Sequence, residues 1–231
     1  MKKYLYETHL HTSPVSACAR FSVRENLTFY KSLGYAGVFI TNHFLDGNIR
    51  IDQSLPYEEK IAFYCSDYEE GLKIGEEIGL SVLFGVEMSY KGTDFLVYGL
   101  DKAWYLAHPE IMDMKKSALL PFLQKSGALV IQAHPFREAS YIDHIRLFPR
   151  CVHGMETDNA CRTTLENDLA SIAVRAYGLL PFAGSDNHIA AQLPRLSGLQ
   201  FETPVRDEAD FVSRVLAGEG ELFSLHNNPA K

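Results

Sequence analysis

Two rhythms of apolar and polar positions alternate along the chain. Short apolar runs of strand length stop at polar residues, and longer stretches with helical spacing stop at glycine. Lys3 to Glu7 reads as a strand. Ser22-Val23-Arg24-Glu25 has capping-box spacing and opens a helix that runs to about Leu33, where Gly34 ends it. Ala36 to Ile40 is short, apolar and partly β-branched, as a strand buried on both faces of a parallel sheet would be. Residues 44–56 form an irregular excursion, and Tyr57 to Ile78 is helical with Gly79 as its stop. Leu80 to Val86 is a strand stopping at Glu87, paired across a Lys91-Gly92 turn with a second at Asp94 to Leu100.

The same grammar fills the second half. Pro109 to Ser126 reads as helix, Ala128 to Ile131 as strand, Glu138 to Phe148 as helix and Val152 to Met155 as strand. Thr164 to Tyr177 is helix and Leu179 to Ala183 strand, followed by a short strand at Leu199 to Phe201 and a helix from about Asp207 to Leu216. Strands alternating with helices imply right-handed βαβ units and a parallel sheet. About seven such units in one chain of 231 residues fit a closed or nearly closed β/α barrel, and with no linker or charge block the expected organisation is a single domain, 1–231.

Polar residues then change the picture. His9 and His11, separated by one residue on an extended strand, point to one side of it. His43, Glu87, His134, Glu156, Asp186 and His188 stand at the C-terminal ends of later strands, the barrel face that carries sites. Imidazoles and carboxylates converging on one mouth need a counter-charge, because apposed carboxylates repel and buried polar groups require partners. Divalent cations supply it. A His/Asp/Glu set without thiolates suits zinc, manganese or iron, and a shared carboxylate bridging two ions suits hydrolysis of a phosphate ester.

Composition sets the outer bounds. The 22 basic and 29 acidic residues give a net charge of −7, which argues against an extended nucleic-acid footprint and favours a small phosphorylated substrate. Cys18, Cys65, Cys151 and Cys161 have no CxxC spacing, so neither a disulfide framework nor a zinc finger is indicated. The start of the chain lacks the apolar stretch of a signal peptide, and no run approaches a membrane span; a soluble, cytoplasmic protein is expected. Oligomeric state is not legible.

His-Leu-His-Thr near the N-terminus, Thr-Asn-His after the second strand, Gly-Val-Glu after the third, Ala-His-Pro in mid-chain and Gly-Ser-Asp-Asn-His near the end occur in this order. In that order and spacing the chain resembles the PHP (polymerase and histidinol phosphatase) family over nearly its whole length. The resemblance implies a distorted (β/α)7 TIM-like barrel with two or three divalent ions, and a phosphoesterase working through a metal-bound hydroxide. It further implies that His9, His11, Glu87 and Asp186 hold one ion, that Glu87 bridges to a second bound by His134, and that His43 and His188 hold a third.

This chain departs from the family pattern at three places. Asn42 stands where relatives usually have Asp, Asp94 where many place a ligating His, and Ser16 to Cys18 where a third-site ligand is expected. Asp94 is expected to substitute as a ligand. Cys18 reads either as a buried small side chain or as a ligand, and Glu156 as a metal contact, an orienting group or a helix cap. Arg20 and Arg195, then Arg137, are the expected phosphate-binding cations, with Asp186 and His188 in the chemistry. His153 is expected to pack away from Glu156, while His108, His144 and His226 carry no spacing signal. The alternatives are a non-catalytic metal-binding or interaction module, a nuclease acting on short oligonucleotides, and amide hydrolysis. The last usually recruits a mid-barrel lysine, which no strand end here offers.

Overall fold

Helix boundaries fall where capping chemistry puts them. In the computed structural model, which describes residues 3–227, α1 (Val23–Ser32) opens with Ser22 and Glu25 exchanging side-chain and backbone hydrogen bonds. The ends of the expected 1–231 domain, residues 1–2 and 228–231, lie outside the described residues. A second capping box, Thr163 with Glu166, opens α5 (Thr164–Tyr177). The long helix α2 (Tyr57–Ile78) ends at Gly79, whose φ of 70° is the left-handed cap that glycine adopts without a Cβ penalty. No helix of the described residues is long and apolar enough to cross a membrane.

Among the described residues, nine strands form one sheet: β1 (Tyr4–Leu10), β2 (Gly37–Ile40), β3 (Ser81–Tyr90), β4 (Thr93–Tyr98), β5 (Leu129–Ala133), β6 (Gly154–Asn159), β7 (Leu180–Gly184), β8 (Arg195–Phe201) and β9 (Glu221–His226). Their order is β7-β6-β5-β4-β3-β2-β1-β8-β9. β1, β2 and β3 are parallel, as are β5, β6 and β7; β4 runs antiparallel between the two sets, as does β8 beside β1. The chain just past β7 returns to β1, with His11 N donating to Asn187 O at 3.0 Å and Asn187 N to His9 O at 3.1 Å. The α/β sheet thus curls into a nearly closed barrel, distorted by the inserted antiparallel strand. Gly184 permits this closure, because a Cβ there would lie 2.6 Å from His9 Cβ and 2.7 Å from Glu156 Oε1.

One irregularity in β1 decides where its histidines point. Tyr6 packs in the barrel interior with Phe39 and Leu83, whereas Leu10 packs outside, with Val38 and Ile40 against α1. Strict alternation would put both on one face. Between Glu7 and Leu10 the ladder slips by one residue against β2, a β-bulge, so Tyr6, His9 and His11 share the interior face. Tyr98 Oη donates to Thr8 O at 2.7 Å, and the Thr8 hydroxyl donates to Ala183 O, so the bulged residue's polar groups are used. On β3, Glu87 shares the parity of the interior Leu83; on β4, Asp94 shares that of Leu96 and Tyr98.

At the other end of the barrel, α6 (Glu208–Leu216) inserts Phe211 among Phe39, Tyr98 and Phe201, at ring centroid distances of 4.4, 5.4 and 6.0 Å. An apolar layer therefore closes this end beneath the polar one.

Two expectations fail, and one strand was not anticipated. The single helix over 109–126 is instead a 3-10 turn at Pro109–Met112 followed by α4 (Lys116–Lys125), and a separate helix α3 (Lys102–Ala107), capped by Asp101, precedes them. The extended backbone at Lys115 re-aims the chain so that Ile111 and Leu119 reach the same core. No helix forms over 138–148, since that segment's polar backbone is held from outside: Gln132 accepts from Phe148 N at 3.0 Å and donates to Arg146 O at 2.7 Å. The strand β9 is an edge strand with mostly exposed side chains, and its sequence carries little apolar alternation.

Candidate metal centre

Every interior strand end brings one or two donor atoms to the same point. His9 Nε2 lies 3.2 Å from Glu87 Oε1, 3.6 Å from Asp186 Oδ1 and 3.1 Å from His11 Nε2. His11 Nε2 is 3.4 Å from Asp186 Oδ1 and 3.5 Å from Glu87 Oε2, while His134 Nε2 is 3.4 Å from Glu87 Oε1 and 3.7 Å from Asp186 Oδ2. His43 Nδ1 faces Glu87 Oε2 at 2.7 Å. Among the described residues, three overlapping groups have donor atoms mutually within 4.8 Å: His9 with His11 and Asp186, His9 with Glu87 and His134, and His11 with His43 and His188. Of the expected ligands, Asp94 alone is in none of them.

The next layer of contacts fixes which nitrogen of each ring faces inward. His9 Nδ1 donates to Glu156 Oε1 at 2.9 Å, so its Nε2 presents a lone pair to the cluster. Glu156 is the orienting group; its second oxygen accepts from His134 N at 2.9 Å and from Asn159 Nδ2 at 2.8 Å. Ser16 Oγ donates to Asn42 Oδ1 at 2.8 Å and therefore accepts from His11 Nδ1 at 3.1 Å, which leaves His11 Nε2 unprotonated. His188 Nδ1 donates to the carbonyl of Asp186 at 2.9 Å. The Nε2 atoms of His9 and His11 therefore face each other at 3.1 Å, an arrangement that a cation between them relieves, a proton on His9 or a metal ion.

The donor set fits divalent ions by what it leaves unpaired. Both oxygens of Glu87, both ring nitrogens of His134 and Nδ1 of His43 are buried without a hydrogen-bond partner, even though they lie close together. Burial alone would raise the Glu87 and Asp186 carboxyls; the imidazoles around them hold both well below the usual range. Burial and the neighbouring His188 and His43 keep His11 well below its ordinary value, hence neutral. Against its burial, Glu156, Asp186 and Glu87 draw a proton onto His9, a charge that a metal ion would displace. Asp186 and His134 adopt φ of 56° and 26°, conformations uncommon outside glycine and found where a site constrains the backbone.

Asn42 has a physical reason to be neutral. Its Oδ1 accepts from Thr12 N at 2.7 Å, and its Nδ2 lies 3.0 Å from Asp67 Oδ2, which also accepts from Thr12 Oγ1 at 2.7 Å. The negative charge of this buried network sits on α2, at Asp67, and a second carboxylate at 42 would face it. Asp67 sits in a charged helical stretch without any motif, so no sequence signal marks it. Glu7 is likewise hidden; it accepts from His9 N and Ser185 N, both at 2.9 Å, and from Tyr30 Oη at 2.8 Å.

A cleft of about 600 Å³ opens over the cluster, lined by Cys18, His43, Asp186 and His188 on one side and by Lys91, Arg137 and Tyr141 on the other. The expected cations are redistributed. Arg195 does not line this cleft: its guanidinium pairs with Asp158 and donates to Asn159 O at 2.7 Å, tying β8 to β6. Arg20 is exposed and is also absent from the lining. Arg137 is the half-buried cation of the mouth, and Asp94 is its anchor: Nη2 lies 2.9 Å from Asp94 Oδ2, closer than the 3.8 Å from that oxygen to His134 Nε2. The carboxylate expected to bind metal is thus paired with a side chain instead. His153 accepts from Val130 N at 3.1 Å, apart from the cluster.

Comparison with known proteins agrees with this geometry. Residues 164–219, from α5 through α6, match the family model PHP_C, described as PHP-associated. Among solved structures, PsfC from Pseudomonas syringae superposes with a TM-score of 0.62 at 15% identity, over 98% of this chain and 92% of that one. A two-domain protein from Bacteroides vulgatus, containing a predicted PHP-like metal-dependent phosphoesterase, gives 0.61 at 13% identity over 87% of this chain and 60% of that one. The fold is of the PHP type. An amidohydrolase from Chromobacterium violaceum, solved with sulfate and no metal, shares it as well, with a TM-score of 0.58 at 13% identity over 96% of this chain and 98% of that one. None of the curated proteins matches the sequence. The PHP resemblance carried by the five motifs is thus met by the fold and by the family match in the C-terminal third.

Proposed function

We propose that the chain is one PHP-type unit and hydrolyses a small phosphomonoester with the help of divalent ions. The observation that supports it most is the buried convergence of His9, His11, Glu87, His134 and Asp186, with both Glu87 oxygens and both His134 ring nitrogens unpaired, beneath a cleft that Arg137 lines. Divalent ions held there would polarise a phosphoryl oxygen and acidify a bound water. The protein's own part is orientation. Glu156 and Ser16 hold His9 and His11 with Nε2 inward, and Asp94 holds Arg137 at the rim, where its planar fork suits phosphate oxygens. His188 Nδ1 donates to the Asp186 carbonyl, so its Nε2 is the nitrogen left to ligate, and protonation of the leaving group falls to water from the cleft. Zinc, manganese and iron all suit a His/carboxylate set.

Amide hydrolysis is the second reading, since a named amidohydrolase shares the fold. The rim favours phosphate, because the half-buried Arg137 faces the cleft and its planar fork suits phosphate oxygens. The test is turnover of a panel of aryl phosphates and aryl amides by zinc-, manganese- and iron-loaded protein, with Asp186→Asn and His134→Ala as controls. Phosphate release lost in both variants is expected. Amide turnover alone, or phosphate release surviving both substitutions, would sink the proposal.

A further inference from the structure

The cleft over the cluster is larger than a phosphoryl group needs. Its volume of about 600 Å³ is that of a site for a whole small molecule, so the group that carries the phosphate has a place in it as well. Close to the cluster the walls are polar, with His43, Asp186 and His188. At the lip stands an aromatic ring. Tyr141 lines this cleft and is 67% exposed, and among the described residues no other aromatic side chain is left as open. A ring so placed forgoes the burial that its apolar area would gain.

The loop that carries it is fixed to the opposite hairpin. Ile142, the next residue, packs on the Lys91-Gly92 turn, where a Cβ on Gly92 would lie 2.8 Å from Ile142 Cγ1. Two arginines that flank Tyr141 in the chain hold the same turn: Arg137 Nη2 donates to Gly92 O at 3.3 Å and Arg146 Nη1 to Lys91 O at 2.8 Å. The Arg137 guanidinium also lies 5.9 Å from the Tyr141 ring centroid, a cation–π contact that orients the ring. Arg137 is therefore shared between Asp94, beside the cluster, and the ring at the lip. A phosphate held by Arg137 would bring its ester group alongside Tyr141.

We propose that Tyr141 is a specificity-determining residue which stacks its open face on a planar aromatic group of the substrate, so that the preferred substrates are phosphomonoesters with an aromatic ring close to the phosphate. The proposal rests on the reading that this cleft hydrolyses a phosphomonoester. An aliphatic ring of the same size fills the same space but has no flat π face to offer.

Competitive inhibition of aryl phosphate turnover by benzylphosphonate and by cyclohexylmethylphosphonate tests this on the metal-loaded full chain. Both keep the charge and a six-membered ring, neither has an ester bond to hydrolyse, and the cyclohexyl ring is the more hydrophobic of the two. Wild type should bind benzylphosphonate about ten-fold more tightly, the scale of stacking on an aromatic side chain. Tyr141→Phe should keep that preference and Tyr141→Leu should abolish it. The readout is a ratio of inhibition constants within each variant, so it does not depend on how much of the variant folds. Equal inhibition in wild type, a preference surviving Tyr141→Leu or one lost in Tyr141→Phe overturns the proposal while the phosphoesterase reading stands. Absence of aryl phosphate turnover in the loaded wild type defeats both.

Discussion

The two ends of the barrel are built from the same strands and stand in opposite electrostatic conditions. At the end sealed by α6, Tyr6, Phe39, Tyr98, Phe182, Phe201 and Phe211 fill the interior, all but fully buried. At the mouth, His9, His11, Glu87, Asp94 and Asp186 occupy the continuation of the same faces, almost as deeply buried, with several donor atoms unpaired. One end stabilises the fold without help; the other is complete only with added positive charge. Stability and chemistry are thereby separated along one axis.

The largest effect that would break this comparison lies at the mouth. Asp186→Asn should lower metal-dependent turnover by at least about a thousand-fold, roughly 4 kcal/mol of barrier, and should leave the metal-free protein as stable as wild type or more so. Steady-state kinetics set beside denaturant unfolding without metal reads both. A large loss of metal-free stability would mean that the cluster holds the fold together by itself.

Phe211→Ala makes the converse case at the closed end. Removing a ring that contacts Phe39 at a centroid distance of 4.4 Å should cost about 3–5 kcal/mol of unfolding free energy while leaving the ion count per chain unchanged. A fall in ion count measured by elemental analysis would show that the two layers are coupled.

Glu7 lies between the layers and gives a pH signature. Burial raises its carboxyl from 4.5 to about 7, against the hydrogen bonds from Ser185, His9 and Tyr30 that favour the ionised form. The folded state therefore binds more protons than the unfolded state between those values. Stability contributed by protonated Glu7 is present below pH 4.5 and is lost as pH rises through about 7, an amount on the order of 3 kcal/mol. Metal-free wild type measured against Glu7→Gln across this range should show the difference; parallel curves would remove Glu7 from the account.

Asn42→Asp should have the smallest effect. It sets a carboxylate about 3.0 Å from Asp67, at a cost of about 2 kcal/mol at neutral pH that shrinks in acid as one of the pair takes up a proton. Asn42→Asp combined with Asp67→Asn should recover most of the loss if the pair simply exchanges its charge.

Much of this was legible because each signal was local. Capping at Ser22 and Glu25, the stop at Gly79 and the turn at Lys91-Gly92 involve residues a few positions apart, and each appears where expected. The ligand-type residues were visible because strand ends are marked by a change from apolar to polar. Glu156 was visible as a residue but not as the partner of His9, since that contact spans 147 positions. The roles of Asp67, Asp94 and Arg137 likewise depend on which side chain ends up opposite which. Arg195 was misplaced for the same reason: its distance in sequence from His188 says nothing of Asp158, with which it pairs.

The sequence by itself determined the alternation of strands and helices, the barrel class, and the set of imidazoles and carboxylates that would meet at its mouth. Periodicity and chain order carry that information. Only the tertiary structure decided that a bulge in β1 turns His9 and His11 inward, that Asp94 anchors a guanidinium, and that Cys18 lines the same cleft as His43 and His188. Those outcomes turn on a one-residue slip in register and on contacts across the ring, which are settled when the barrel closes.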